Sequence, residues 1–157
     1  MNKLYIFDEN ERPYGPLSNN FKSNIMIDRQ LWKSVSHYVY AKMTNNKASI
    51  SKFADPKTAY RTYKQSKEYG EQQLIHIALI TALKIKLQNP TVSKALIDTK
   101  DTIILYEGYN NFLSYRNGRG KNMIGKLYMQ LRYQICKNLM KHIRENYDKS
   151  LYEIKYK

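Results

Sequence analysis

Two separated stretches of the chain carry residue types suited to binding phosphate or sugar. Near the start, Pro13, Gly15 and Pro16 fix a rigid loop around Tyr14, and Ser18, Asn19 and Asn20 follow with donors and acceptors that match sugar hydroxyls or a base edge. Toward the end, Arg116, Asn117, Gly118, Arg119, Gly120, Lys121 and Asn122 place two glycines directly before a helical pattern. Glycine lets backbone N–H groups approach an anion, a helix N-terminus adds positive potential, and basic side chains add fixed charge. The spacing is not that of a triphosphate-binding P-loop, which closes on a Lys-Ser/Thr pair. Taken alone, each stretch is also explained as a turn, the first held by a local Asx bond and the second flexible.

Other chemistries find little footing. Cys136 is the only cysteine, which excludes an internal disulfide and a cysteine-based zinc cluster. It lies between Ile135 and Lys137 in an amphipathic pattern, where core or edge packing is the ordinary role of a free cysteine. His37, His76 and His142 are far apart and show no metal-ligand spacing, so neither a metal nor a cofactor is expected.

The elements that must position these residues follow from periodicity and punctuation. Leu4–Phe7 reads as a strand, followed by a polar turn over Asp8–Pro16. Asn24–Ile27 reads as a second strand, with a turn at Asp28–Gln30 and then Leu31 and Trp32; the two strands are expected to pair as a hairpin or join a small sheet. Ser34 is a candidate N-cap for a helix holding Val35, Tyr38 and Val39. The stretch from Thr44 to Asp55 has no strong period. Pro56 opens a helix through Tyr63 and Lys67 that Gly70 would end. From Leu74 to Leu87 the pattern is apolar on nearly every side, which predicts a central buried helix. Asn89 and Pro90 cap and open the next helix, holding Val92, Ala95, Leu96 and Ile97. Ile103–Tyr106 is a strand ending at Glu107 and Gly108. The polar, aromatic-studded loop from Gly108 to Gly120 is long enough to expect a function. A helix from about Lys121 to about Tyr147 closes the domain, with Ile124, Leu127, Leu131, Ile135, Leu139 and Ile143 on one face and Lys126, Lys137, Lys141 and Arg144 on another. Residues 148–157 read as a tail, a short strand or frayed.

These elements fit one domain over residues 1–147, its short strands forming a hairpin or joining a small sheet. Its 157 residues suffice for a single core. No apolar run approaches the length needed to span a bilayer, and the N-terminus lacks the apolar region and cleavage site of a secretory signal, so an intracellular protein without membrane association is expected. The formal net charge is +14. Residues 1–30 balance Lys3, Arg12, Lys22 and Arg29 against Asp8, Glu9, Glu11 and Asp28, so the whole excess lies after residue 30. That field would attract phosphate groups, which makes nucleic acid a second candidate partner through the basic surface. The same lysines, with the 15 tyrosines, also follow from an AT-rich coding bias. On that reading the basic face is simply solvated and the tyrosines serve as core and rim residues; on the functional reading the tyrosines are stacking platforms for bases.

Order and spacing add a further reading. Tyr14 to Asn19, the run Trp32 to Ala41, and the Gly-Lys-Asn-x-Ile-Gly-x-x-x-Met-x-Leu-Arg pattern over Gly120–Arg132 together resemble the NADAR family, also called YbiA-like. The similarity spans roughly residues 4–135, and Ala82 to Leu87, with Lys84 and Leu87, resembles the family's Ala-Leu-x-x-Lys-Phe stretch. The resemblance implies a helix-rich α+β fold and an N-glycosidase. Its substrate would be a ribosyl phosphate, as in riboflavin-pathway intermediates, or an ADP-ribosyl group on guanine. Divergent versions occur in large DNA viruses. The implied substrate-binding set is Tyr14, Gly15, Ser18, Asn19, Trp32, Ser36, Tyr40, Asn111, Gly118, Arg119, Gly120, Lys121 and Asn122. His37 or Tyr40 would contact the base, and Arg119, Lys121 and Asn122 the phosphate.

Two acidic positions of the family pattern are neutral in this chain. Ser36 stands where a glutamate precedes the His-Tyr pair, and Asn110 or Asn111 stands at the head of an Asp-x-x-Trp-Gly segment. Cleaving an N-glycosidic bond passes through an oxocarbenium-like state, which calls for a carboxylate beside the ribose. Glu107 is the best-placed remaining candidate, with Asp8 and Glu9 behind it, and an ordinary surface glutamate at a strand end is the competing reading. A module that binds a nucleotide or nucleic acid without cutting it is the alternative to an active enzyme.

Overall fold

The computed structural model describes residues 2–6, 9–44, 50, 55–65, 72–108 and 110–155, with residues 72 and 147–155 as backbone alone. Strand β1 (Lys3–Ile6) pairs in parallel with β4 (Ile103–Tyr106), in the register Lys3 with Ile103 and Ile6 with Tyr106. The Ile6 carbonyl also accepts the N–H of Glu107 at 2.8 Å, which carries the ladder one residue past the strand. Strand β2 (Ile25–Ile27) pairs antiparallel with β3 (Gln30–Trp32). The two expected strands therefore do not pair with each other; each finds another partner. The reason for the second pairing is local: Asp28 and Arg29 both have positive φ, 54° and 61°, the geometry of a two-residue hairpin turn whose twist matches its strands.

Helix α1 (Val35–Lys42) lies between α2 (Pro56–Gln65) and α3 (Gln72–Lys86), while α5 (Met123–Lys155) packs its first turns on β4, α3 and α4 (Pro90–Asp98). The expected cap of α4 is present, with the Asn89 side chain accepting the N–H of Thr91 at 2.9 Å. That of α1 differs. Ser34 has the extended N-cap backbone, but its hydroxyl pairs with Nδ1 of His37 at 2.8 Å instead of a backbone N–H.

The α3 pattern is more one-sided than its composition predicts. Ile75, Ala78, Leu79, Ala82, Leu83 and Lys86 are buried at helical spacing, whereas Leu74 and Ile77 are more than half exposed. Helix α5 begins at Met123 and continues through Lys155, past the expected end and into the stretch read as a tail, because no glycine or proline follows Gly125 in it. The expected end of α2 at Lys67–Gly70, most of Thr44–Asp55, and Phe7 and Asp8 lie outside the described residues.

The core gathers apolar residues from every element, among them Ile6, Leu17, Ile25, Val35, Leu79, Leu83, Leu96, Ile104 and Leu127. Trp32 is part of it, 3% exposed and edge-on to Tyr38 with ring centroids 5.4 Å apart. Among the described residues, no helix is long and apolar enough to cross a membrane.

Candidate functional site

A cleft of 460 Å³ opens where the loop after Leu17, α1, α2 and the end of β4 meet. Helices α1 and α2 supply a tyrosine wall. Tyr40 and Tyr63 stack with centroids 5.4 Å apart and planes 13° from parallel, and Tyr60 leans on both at 5.6 and 6.2 Å. The spacing explains the arrangement: Tyr60 and Tyr63 are one helical turn apart, so both face the same helix α1. Burial, and then the neighbouring Tyr106, raises the pKa of Tyr40. Its hydroxyl therefore stays protonated at neutral pH.

The opposite lining comes from the end of β4 and the loop after it. Glu107 and Arg116 both line the cleft, with Arg116 Nε 3.8 Å from Glu107 Oε1. Asn110 organises the loop between them: its side chain accepts the N–H groups of Phe112 and Leu113 at 2.9 and 3.0 Å, and its carbonyl accepts the Ser114 hydroxyl at 2.7 Å. Of the two asparagines left open by the sequence, Asn110 lines the cleft and Asn111 is exposed outside it. Lys57, at the start of α2, adds a second cation to the lining.

The closed end is polar and tightly wired. The N–H of Asn19 donates to the Tyr106 hydroxyl at 2.8 Å, and its carbonyl accepts the N–H of Ser36 at 3.0 Å. The Ser36 hydroxyl donates to Asn20 Oδ1 at 2.6 Å. Behind this layer sits Lys86, 1% exposed, whose amine donates to the Ser18 carbonyl at 2.6 Å and lies 3.2 Å from the Tyr128 hydroxyl. Tyr128 in turn donates to the Leu17 carbonyl at 2.7 Å. Burial lowers the pKa of Lys86 well below the ordinary 10.5 and raises that of Tyr128 well above 10.0. Two side chains from distant helices thus grip the backbone that delivers Asn19 and Asn20. In the Ala82–Leu87 stretch it is Lys86 that is buried, and Lys84 is exposed.

Of the residues singled out in the sequence, Asn19, Asn20, Ser36, Tyr40, Glu107, Asn110 and Arg116 come together in the cleft. The others lie elsewhere. His37 is 1% exposed and bonded to Ser34, and Trp32 is in the core. Tyr14 packs against the core, Gly15 is buried in the turn, and Ser18 is buried with its carbonyl on Lys86. Gly118, Arg119, Gly120 and Lys121 are exposed in the turn beyond Arg116 and do not line the cleft. Asn122 is 6% exposed and serves the fold: its side-chain oxygen accepts the N–H of Tyr106 at 2.9 Å and its amide donates to the Ile104 carbonyl at 2.8 Å. Gly120 passes so close to the Ser114 carbonyl, and Gly125 to the Ile104 carbonyl, that a Cβ at either would clash with backbone. The glycine-rich motif is thereby a clasp on β4 that fixes Ile104 and Tyr106.

Sequence reasoning passed over Lys57, Tyr60, Tyr63 and Tyr106 as cleft residues. The repeat Lys57, Tyr60, Tyr63 along one helix was the available signal, but such a stripe reads equally well as core packing.

No family model matches the sequence. The chain is 30% identical over 120 residues to "Uncharacterized protein 155L" of Invertebrate iridescent virus 6, covering 74% of this chain and 47% of that protein. It is 22% identical over 143 residues to "Uncharacterized protein 113L" of Invertebrate iridescent virus 3, covering 86% of this chain and 17% of that one. The chain therefore spans less than half the length of these two relatives. Among solved structures, the E. coli protein YbiA superposes with a TM-score of 0.76 at 21% identity, over 90% of this chain and 89% of that one. The chain has the YbiA fold.

Proposed function

We propose that the cleft hydrolyses an N-glycosidic bond between a base and the ribose of a ribosyl-phosphate or ADP-ribosyl compound. The observation that carries this reading is the Glu107 carboxylate, 3.8 Å from Arg116, on the lining of a cleft whose other walls are tyrosines, asparagines and the Lys57 cation. In the reaction the bond from the ribose carbon to the base nitrogen breaks, the base leaves with the bonding pair and gains a proton, and water adds to the ribosyl cation. Glu107 supports that cation by its charge or takes the proton of the attacking water. Arg116 orients the carboxylate, and with Lys57 it offers positive charge to phosphate. Both partners of the ion pair are partly exposed, so positioning rather than stability is its contribution. The tyrosine wall stacks the base. The YbiA fold supports the reading without specifying a substrate.

The experiment is base release from ribosylaminopyrimidine phosphate and from ADP-ribosylated DNA. Glu107→Gln should lower the rate by about 100-fold or more with the fold intact. Absence of release by the unaltered protein at any pH, or full activity in the variant, rejects the reading.

A second reading rests on a different surface. Lys137, Lys141 and Arg144 are exposed on one face of α5, in a chain of net charge +14, and fit a nucleic-acid backbone. On this reading the protein binds nucleic acid with strong salt dependence and no cleavage, and charge reversal at the three positions abolishes binding.

A further inference from the structure

We propose that Asn19 selects the base of the cleft's ligand, its side-chain oxygen accepting an N–H from a planar heterocycle laid against the tyrosine wall. The inference rests on the cleft being a nucleotide site, and is independent of whether the ligand is cut.

Asn19 is held in place on both sides of its Cα. Its N–H is spent on the Tyr106 hydroxyl and its carbonyl on the Ser36 N–H, while the carbonyl before it is gripped by Lys86. The residue lines the cleft at 5% exposure, yet its Oδ1 is buried and accepts no hydrogen bond among the described residues. Buried amide oxygens are satisfied in all but a few cases, and an exception beside a cleft calls for a donor from outside the chain. The adjacent hydroxyl of Ser36 does not fill that role, since it donates to Asn20 at 2.6 Å. The terminal torsion of asparagine is broad, so a small rotation turns the oxygen toward an incoming group at little cost.

The layout of the lining decides which group that is. Asn19 is tied to Ser36, one helical turn before Tyr40, and so adjoins the aromatic wall. The carboxylate and guanidinium of Glu107 and Arg116 come from the end of β4 and the loop after it. A ligand that stacks its base on the tyrosines and turns its ribosyl phosphate toward Glu107, Arg116 and Lys57 presents the edge of the base to Asn19. A site built to pair an N–H rejects analogues lacking it, because its own acceptor is then buried unpaired.

The test is equilibrium binding of the full chain to inosine 5′-monophosphate and its 1-methyl derivative, and to uridine 5′-monophosphate and its 3-methyl derivative. At least one pair should show an affinity loss of about tenfold or more on N-methylation, with less than about threefold loss on removing the 2′-hydroxyl. In folded Asn19→Ala the N-methyl discrimination should shrink to about twofold, whereas Asn19→Asp, which keeps the acceptor, should retain it. The comparison of ligands uses the unaltered protein, so it decides even where a variant fails to fold. Equal affinities within both pairs, no binding of any nucleotide, discrimination that survives Asn19→Ala, or dependence on the 2′-hydroxyl instead each overturns the inference. A protein that discriminates but releases no base sinks the glycosidase reading and keeps this one; release of base at equal rates from N–H and N-methyl substrates does the reverse.

Discussion

The loop around Ser18–Asn20 and the loop around Gly118–Asn122 are alike in composition and unlike in use. Both combine glycine or proline with asparagine and hydroxyl or basic residues, yet the first delivers Asn19 and Asn20 to the cleft while the second turns outward at Arg119 and Lys121 and inward only at Asn122. What separates them is which backbone each must serve. The first loop is gripped from behind by Lys86 and Tyr128, so its side chains are left to point at a ligand. The second does the gripping, and its buried Asn122 is consumed by the strand it holds. A polar residue in a glycine-rich loop is available for chemistry only when something else satisfies the loop.

The largest effect expected from this contrast is on the clasp. Asn122→Ala strands the Tyr106 N–H and the Ile104 carbonyl, and should destabilise the fold by about 2–5 kcal/mol in urea unfolding. A change below about 0.5 kcal/mol would show that the two loops are not so different.

Next in size is the pH dependence set by the grip on the first loop. Burial depresses the pKa of Lys86, so between its lowered value and the ordinary 10.5 the unfolded chain binds a proton that the native chain does not, and stability rises with pH. Tyr40, Tyr106 and Tyr128 are shifted the other way. Above pH 10.0 the unfolded chain loses phenolic protons that the native chain keeps, and stability falls. One such proton corresponds to a slope of about 1.4 kcal/mol per pH unit. Lys86→Met should flatten the rising limb and leave the alkaline fall; equal slopes in the two proteins would remove the lysine from the account.

The smallest effects separate ligand contacts from exposed turn residues. Asn20→Ala should change stability by less than about 1 kcal/mol, while weakening nucleotide binding several-fold. Lys121→Ala should move stability by less than about 0.5 kcal/mol and binding by less than about twofold. A stronger loss of binding in Lys121→Ala than in Asn20→Ala would return the phosphate to the glycine-rich loop.

Much of this architecture is legible in the chain itself. The caps at Asn89 and Pro90, the turn at Asp28 and Arg29, the strand from Ile103 and the last helix follow from local rules, because each depends on neighbours within a turn or two. The helix-rich α+β class follows from the sum of such elements. Pairing of β1 with β4 does not, since nothing in either strand names a partner about a hundred residues away. The exposure of Leu74 and Ile77 was equally hidden, because composition records how apolar a face is and not what covers it.

The same division runs through the site. The sequence determined the types of residue available: a strand-end carboxylate at Glu107, asparagines after a rigid turn, tyrosines at helical spacing and a lysine in an apolar helix. Only the tertiary structure decided that Asn19, Ser36, Tyr40 and Glu107 share a cleft with Lys57, Tyr60, Tyr63 and Arg116, and that His37, Trp32 and Asn122 are spent on the fold. The physical reason is hydrogen-bond accounting. Whether a polar side chain is free for a ligand depends on which buried backbone groups remain unpaired around it, and those come from segments that are distant in the chain.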